Sequence, residues 1–392
     1  MKVITRTIWI LSLVSMFADI ASEMLYPVVP VYLKEIGFSV FLIGVLEGVA
    51  EFSAGISKGY FAKRSDEKGL RLPFVKGGYA LSALSKPMMA VFRFPLWIFF
   101  ARSIDRLGKG LRTGARDALL SAEATRETKG RVFGFHRALD TTGAVMGPAI
   151  ALLFLHFFPG KYARLFYYAF IPGILSVLLI FLLKEKKQPV SSLRKGGFFS
   201  YFRYWKKAPL TYKKLAGGLL FFALFNSSDV FLILKTRQVT GNDTITIAAY
   251  LFYNTVFAVM AYPMGALADR LGFRNVLAAG LTLFAIVYAG FGLSSSVTVI
   301  FLLFFLYGLF AAATEGVAKA WITNISHDKD TATAIGFFTS GQSVCSLLAS
   351  IAAGFIWSFW ESRAVFFIAS LAGISVVLYF LVNRQLNGYR SQ

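Results

Sequence analysis

Apolar stretches about 20 residues long recur from one end of the chain to the other, divided by short polar turns. Each is long enough to cross roughly 30 Å of hydrocarbon as a helix. The pattern predicts twelve such helices, at 7–33, 40–60, 74–92, 95–119, 132–157, 165–183, 215–237, 245–266, 275–295, 298–322, 333–357 and 364–383. They fall into six and six around a basic stretch broken by Gln188-Pro189 and Gly196-Gly197. The expected fold class is an all-α integral membrane protein.

Composition agrees with the pattern. Of 392 residues, 56% are hydrophobic and only 16% charged, and 41 are Phe, which no soluble domain of this length would carry. The net charge of +21 does not point to nucleic acid, because the excess sits in loops. Lys63, Arg64, Lys68 and Arg71 follow the second span, and Lys184, Lys186, Lys187, Arg194, Lys195, Arg203, Lys206, Lys207, Lys213 and Lys214 lie between the sixth and seventh. The alternate loops near 92–95 and 294–297 are almost uncharged. Basic loops stay on the cytoplasmic side, so both termini are expected there, with anionic lipids against the basic loops. A single cysteine, Cys345 in an apolar span, excludes an internal disulfide and a cysteine metal site. The first span follows Lys2 and Arg6, is too long for a signal-peptide core and contains Asp19 and Glu23, so it is expected to be retained.

The fourth span breaks the apolar pattern. Arg102, Asp105, Arg106, Lys109, Arg112 and Arg116 recur at spacings of three and four, which places them along one helical face, with Asp117 beside them. A lone charge at the bilayer centre costs roughly 2.5–3.5 kcal/mol. Such a row is tolerable only where it faces protein, water or partner charges, which points to a polar pathway and hence to transport.

The two halves echo each other at an offset of about 206 residues. Gly59 falls on Gly265, Arg64 on Arg270, Glu23 on Asp229 and Lys109-Gly110 on Glu315-Gly316, while Gly134-Phe135 pairs with Gly336-Phe337 at a slightly shorter offset. Parallel six-span repeats suit rocker-type secondary transporters, which bind substrate at the repeat interface.

The chain resembles the major facilitator superfamily along essentially its whole length. The loop Gly265-Ala-Leu-Ala-Asp269-Arg270-Leu-Gly272-Phe-Arg274 is very close to the family's G-x-x-x-D-R-x-G-x-R. Its first-half counterpart, Gly59-Tyr-Phe-Ala-Lys63-Arg64, has Lys63 where the family has Asp, leaving Asp66 or Glu67 to substitute. In the fifth span Gly134, Gly143 and Gly147-Pro148 resemble the family's antiporter-associated motif, without its closing glycine pair; generic helix packing is the alternative. The stretches from Phe17 to Pro30 and from Asp105 to Asp117 resemble a bacterial subgroup of permeases distantly related to tetracycline-type exporters and siderophore transporters.

The resemblance implies a six-helix bundle at 1–184, a cytoplasmic linker at 185–213 and a second bundle at 214–392, with spans one, four, seven and ten lining a cavity. The polar residues of those spans then acquire candidate roles. Asp19, Glu23 and Asp229 are candidates for proton coupling, since a carboxylate that alternates between dry and cation-rich surroundings can take up and release a proton. Permanent pairing of Asp19 and Glu23 with Arg102, Arg106 or Lys109 is the alternative. Arg102, Arg106 and Lys109 are candidates for holding an anionic substrate group, with Asn226, Tyr253, Glu315 and Gln342 adding polar contacts. Asp105, Arg112, Arg116, Asp117 and Asp140 are assigned to gating, with Gly265, Asp269, Arg270 and Arg274. Glu47 and Glu51 are expected to bond Lys76, Lys86 or the basic row, and His136 to serve at helix entry.

No nucleotide-binding G-x-x-x-x-G-K-[ST] loop or H-E-x-x-H pair is present, so the chain is not read as an enzyme, and no cofactor beyond a proton gradient is expected. A monomer in a bacterial inner membrane, acting on a small molecule, is expected. Two readings stay open: proton-coupled antiport exporting an organic molecule, and import of an anionic metabolite or siderophore.

Overall fold

Helix boundaries follow the local punctuation of the chain. The computed structural model describes residues 3–26, 28–29, 32–33, 36–37, 40–92, 94–185 and 197–383. The Thr5 hydroxyl accepts the Ile8 N–H and opens α1, Arg6–Glu23. Then come α2, Val40–Lys68; α3, Leu72–Val91; α4, Pro95–Ala122; α5, Lys129–Phe157; and α6, Tyr162–Ile180. Pro73 and Pro95 start α3 and α4 where the lost N–H is not needed. After a 3₁₀ turn at Phe198–Arg203 and one helical turn at Tyr204–Lys207 come α7a, Leu210–Ala223, and α7b, Val230–Thr240. The remainder is α8, Asp243–Leu271; α9, Phe273–Leu293; α10, Val297–Ile325; α11, Thr331–Phe359; and α12, Ser362–Val382. Gly241 and Gly272, at φ 61° and 91°, make the sharp turns before α8 and α9.

Two spans differ from the sequence expectation. The span predicted at 215–237 is not one helix: its ladder stops at Ala223 and restarts at Val230. Asn226-Ser227-Ser228-Asp229 occupies the gap, residue types whose side chains compete for backbone hydrogen bonds. The N–H of Ser228, released from the helix, donates to Ser350 Oγ at 3.1 Å. In span one, α1 gives way to turn at Met24–Tyr26, just past Glu23, which is the repeat equivalent of Asp229. Elsewhere α2, α8 and α10 run past their apolar cores because polar residues continue the helix into water.

The chain forms two compact units, one of Met1–Glu123, Leu139–Lys206 and His327–Ser340, the other of Ala124–Ala138, Lys207–Ser326 and Gly341–Gln392. Helices α5 and α11 are therefore each shared between the two. In the first unit α3 packs on α4 and α6, α2 on α4, and α1 on α6. In the second the same pairs recur six helices later: α9 on α10 and α12, α8 on α10, and α7a on α12. The repeat legible in scattered residues is thus a repeat of packing. Each unit has its own apolar core, around Ile20, Met24, Leu165 and Phe166 in the first. In the second, Phe222, Phe284 and Phe310 meet with ring centroids 4.7 to 6.1 Å apart.

Seven helices among the described residues (α5, α6 and α8 to α12) are long and apolar enough to cross a membrane by composition alone. Helix α4 fails that criterion because of its charge row, and span seven because it is broken. Leu153, Leu178, Val259, Ile351, Phe355 and Leu371 are all exposed on helix faces, a surface that only lipid would cover. The chain is a multi-pass membrane protein.

Candidate functional site

The charged face of α4 lies inside the first unit, against α1, α3 and α5. Gly143 and Gly147 let α5 touch α1: a Cβ at Gly147 would fall 2.8 Å from Met24 N and 2.9 Å from Glu23 Cβ. The contact sets Asp19 and Glu23 beside Asp140. Asp19 Oδ1 is 3.9 Å from Arg112 Nη2, with Lys109 and Asp140 as further neighbours. Glu23 faces Lys109, Arg106 and Lys86. Both carboxylates are half-buried, and Lys109 is exposed and makes no ion pair among the described residues. Acid and base therefore meet along one stretch of α1 and α4.

The rest of the row is fixed more tightly. Lys86 Nζ donates to Asp105 Oδ1 at 2.8 Å and to Ser22 Oγ at 3.0 Å, and Ser82 Oγ donates to the same Asp105 oxygen at 2.6 Å. Arg102 lies 3.9 Å from Asp105, so this carboxylate anchors two cations. Arg112 stacks 4.2 Å above the Tyr79 ring. Arg116 donates to Asp117 Oδ1 at 3.0 Å and to Ser15 Oγ at 2.8 Å, and the Ser15 hydroxyl donates to Asp140 at 2.6 Å. The expected partners of Arg116, Asp117 and Asp140, are thus both in reach. Lys86 is occupied by Asp105 and Lys76 lies 4.5 Å over the Phe181 ring; the side chains of Glu47 and Glu51 lie outside the described residues.

In the second unit a different chemistry surrounds the repeat-equivalent acid. Asp229, at the break between α7a and α7b, accepts from Tyr307 Oη at 2.7 Å, with Tyr253 as a second partner. Tyr288 stands next to them, 3.5 Å from Asn226 Oδ1. Glu315 forms an ion pair with Arg137, whose guanidinium lies 5.5 Å over the Phe257 ring. Gln342 is exposed on α11, and Asn254 is turned back onto the Tyr250 carbonyl.

Two further carboxylates cap helix starts. Asp269 accepts the N–H of Gly130 at 2.7 Å and of Arg131 at 2.9 Å, in the first turn of α5, and pairs with the Arg131 side chain. Gly130 and Gly265 touch backbone to backbone, which is why neither can carry a side chain. In the first unit Asp66 does the same for α11: its Oδ2 accepts the Thr333 N–H at 2.7 Å and hydroxyl at 2.9 Å, and Oδ1 accepts from Arg71 at 3.2 Å. Burial pushes the Asp66 carboxyl up to about 6 despite Arg71 and Thr333. Glu67 instead bonds Lys63 and Arg64. Arg270 is exposed, and Arg274 donates to the Phe380 carbonyl at the end of α12, so it caps a helix of its own unit.

Sequence reasoning missed Arg131, Thr333 and Tyr307, and named Lys86 as a partner for Glu47 or Glu51 but not for Asp105, which it bonds. The signal for Lys86 was available, since a lysine in an apolar span needs a buried acid. Nothing in the local sequence marked Thr333 or Tyr307, whose partners lie 267 and 78 residues away.

The sequence profile of the Major Facilitator Superfamily matches residues 11–253 and 238–390. An uncharacterised MFS-type transporter of Methanocaldococcus jannaschii is 30% identical over 388 residues, covering 97% of this chain and 95% of the relative. The quinolone resistance protein NorA of Staphylococcus aureus is 26% identical over 167 residues, 42% of each chain. Among solved structures, that of the human organic anion transporter MFSD10 (TETRAN) superimposes with a TM-score of 0.79 at 15% identity, over 96% of this chain and 99% of that one.

Proposed function

Because the chain belongs to the Major Facilitator Superfamily, a family of transporters, we propose that it is a proton-coupled secondary transporter that exports a small organic molecule by antiport. The observation that carries this reading is the placement of Asp19 and Glu23: two half-buried membrane carboxylates facing Lys109, Arg112 and Asp140. Such a carboxylate releases its proton when a cation approaches and takes one up when the cation is drawn away. Substrate arrival and proton release are then linked through the same few side chains. Lys109 and Arg106 are the groups that would hold an anionic part of the substrate, while Arg112, Arg116, Asp117 and Asp140 tie α4 to α1 and α5. The partial likeness to a quinolone resistance protein supports the outward direction.

The bundles at 1–184 and 214–392 would act as the two moving bodies, with 185–213 as linker. The distribution of Lys and Arg supports both termini inside and anionic lipid against the basic loops; on this reading the protein acts as a monomer in the bacterial cytoplasmic membrane.

Proton flux in everted vesicles tests the reading, with organic anions and lipophilic cations added in turn. Proton release on adding a compound, abolished in Glu23→Gln and Asp19→Asn, is the expected result. Accumulation of an anion by right-side-out vesicles under a proton gradient, with no response in the everted ones, would make the protein an importer.

A further inference from the structure

We propose that Asp229, with Tyr253, Tyr288 and Tyr307, forms a binding site for a monovalent organic cation, a protonated amine or a quaternary ammonium or phosphonium group. The site lies wholly within the second unit. Its acid is the repeat equivalent of Glu23, yet its surroundings are opposite: Glu23 stands among Lys109, Arg106 and Lys86, whereas no Lys, Arg or His among the described residues neighbours Asp229. The nearest basic group, Arg137, faces Tyr253 and is already paired with Glu315. A carboxylate without a cation in a membrane span is costly and marks a place where one arrives.

The backbone shows the same orientation. Asp229 occupies the cap position of α7b, where an aspartate ordinarily accepts from the first-turn N–H groups. Here its side chain makes no such bond and turns instead to the phenol of Tyr307 at 2.7 Å and that of Tyr253. Two O–H donors occupy about two of the roughly four acceptor positions of a carboxylate. Asp229 is half-buried, and no other donor among the described residues takes the remaining positions. The Tyr253 and Tyr307 rings sit 4.9 Å apart and Tyr288 6.3 Å from Tyr307, a group of electron-rich rings beside the acid.

The chemistry selects among cations. A divalent metal needs several oxygen ligands, and no group of three His, Cys, Asp or Glu stands together among the described residues. One carboxylate, phenols and the apolar rings of Phe222, Phe284 and Phe310 behind them suit a singly charged, poorly hydrated organic ion. The same lone pairs would take a proton in its absence, so cation and proton compete. This site rests on the transport reading only in needing access from one side of the membrane.

The test is equilibrium binding to the purified full-length protein in detergent, with no gradient present. Radiolabelled tetraphenylphosphonium is the probe, benzyltrimethylammonium the cationic competitor and benzoate the anionic control. Saturable binding is expected, displaced by benzyltrimethylammonium but not by benzoate, and stronger at pH 8 than at pH 5.5. Asp229→Asn should lower affinity about tenfold or more and remove the pH dependence, the size of one charge-assisted contact. Tyr307→Phe and Tyr253→Phe should weaken binding several-fold, Asp229→Glu should retain it, and all variants should elute as folded monodisperse protein. Asp19→Asn and Glu23→Gln should leave it unchanged. Absence of saturable binding, or equal binding in Asp229→Asn, overturns the site. Proton release by an organic anion in everted vesicles would survive that result, so the failure of this site and of the antiport reading are told apart.

Discussion

Asp66 and Thr333, 267 positions apart in the chain, are joined twice: one carboxylate oxygen accepts both the backbone N–H and the hydroxyl of Thr333, at 2.7 and 2.9 Å. Arg71 holds the other oxygen and also donates to the Asp328 carbonyl at 3.0 Å, so the start of α11 is tied to the end of α2 from two sides. An N-terminal helix turn offers unpaired N–H groups and a positive dipole end, and Asp66 supplies what both ask for.

That contact predicts a pH dependence. Exposed to water, Asp66 titrates near 4; joined to Thr333, with Arg71, Tyr204 and Asp330 around it, it titrates at about 6. The joined form therefore binds the proton more tightly. Its advantage is full below about pH 4, declines between 4 and 6, and is constant above 6, a change of up to about a hundredfold in the equilibrium. Hydrogen exchange of the segment 331–340, corrected for intrinsic rate, should show protection of the Thr333 amide falling from pH 4.5 to 7. Asp66→Asn should flatten the profile. Protection that rises with pH would contradict it.

Asp269 predicts a difference between neighbours. Asp269→Ala removes two backbone hydrogen bonds at the start of α5 and the Arg131 pair, a loss of about 1–2 kcal/mol for the cap. Arg270→Ala removes an exposed side chain. The first should lower the thermal midpoint and slow transport several-fold, while the second should leave the midpoint unchanged. Equal effects would mean that the arginine has a role away from the cap.

What the sequence disclosed divides by distance along the chain. The twelve spans and the charged face of α4 were legible because hydropathy and helical spacing are local. The loop 265–274 was legible because its residues are consecutive. Lys63 stands where an acid was expected, and the sequence left Asp66 and Glu67 equivalent; only the position of the α11 start decides for Asp66. The break at 224–229 was written in four consecutive poor helix formers, but an apolar average over the window concealed it. The partners of Asp105 and Asp229 come from other helices, and periodicity carries no information about which helix faces which.

Lys86 and Lys109, both basic and both within the membrane spans, should behave oppositely. Lys86 is buried and bonded to Asp105, so Lys86→Met leaves a buried carboxylate short of its nearest cation, which costs about 3–5 kcal/mol. Yield of folded protein and thermal midpoint should fall sharply. Lys109 is exposed beside Glu23 and makes no ion pair among the described residues. Lys109→Ala should keep the midpoint within a degree or two of the parent while lowering transport of anionic compounds at least tenfold. A stability loss in Lys109→Ala matching that of Lys86→Met would assign Lys109 to the structural network.

Tyr201 holds the linker to the first unit, and its position explains why Gly59 has no side chain. The ring lies flat on Gly59, where an added Cβ would fall 2.6 Å from Cδ2, well inside van der Waals contact. Its hydroxyl shares a hydrogen bond with Ser340 at 2.8 Å, Lys63 donates to the adjacent Ser200 at 2.7 Å, and Trp205 stacks 5.5 Å from Phe337. Arg203, exposed between the buried Tyr201 and Tyr204, can enter a protease only when this turn lifts away. Gly59→Ala should therefore speed tryptic cleavage at Arg203 by displacing the ring. Tyr201→Phe, which loses one hydrogen bond worth about 1 kcal/mol, should speed it several-fold. The double variant Gly59→Ala with Tyr201→Ala removes the clash along with the anchor, so cleavage should stay fast while the thermal midpoint recovers relative to Gly59→Ala alone. Cleavage at the parent rate in Gly59→Ala would show that the turn is held elsewhere.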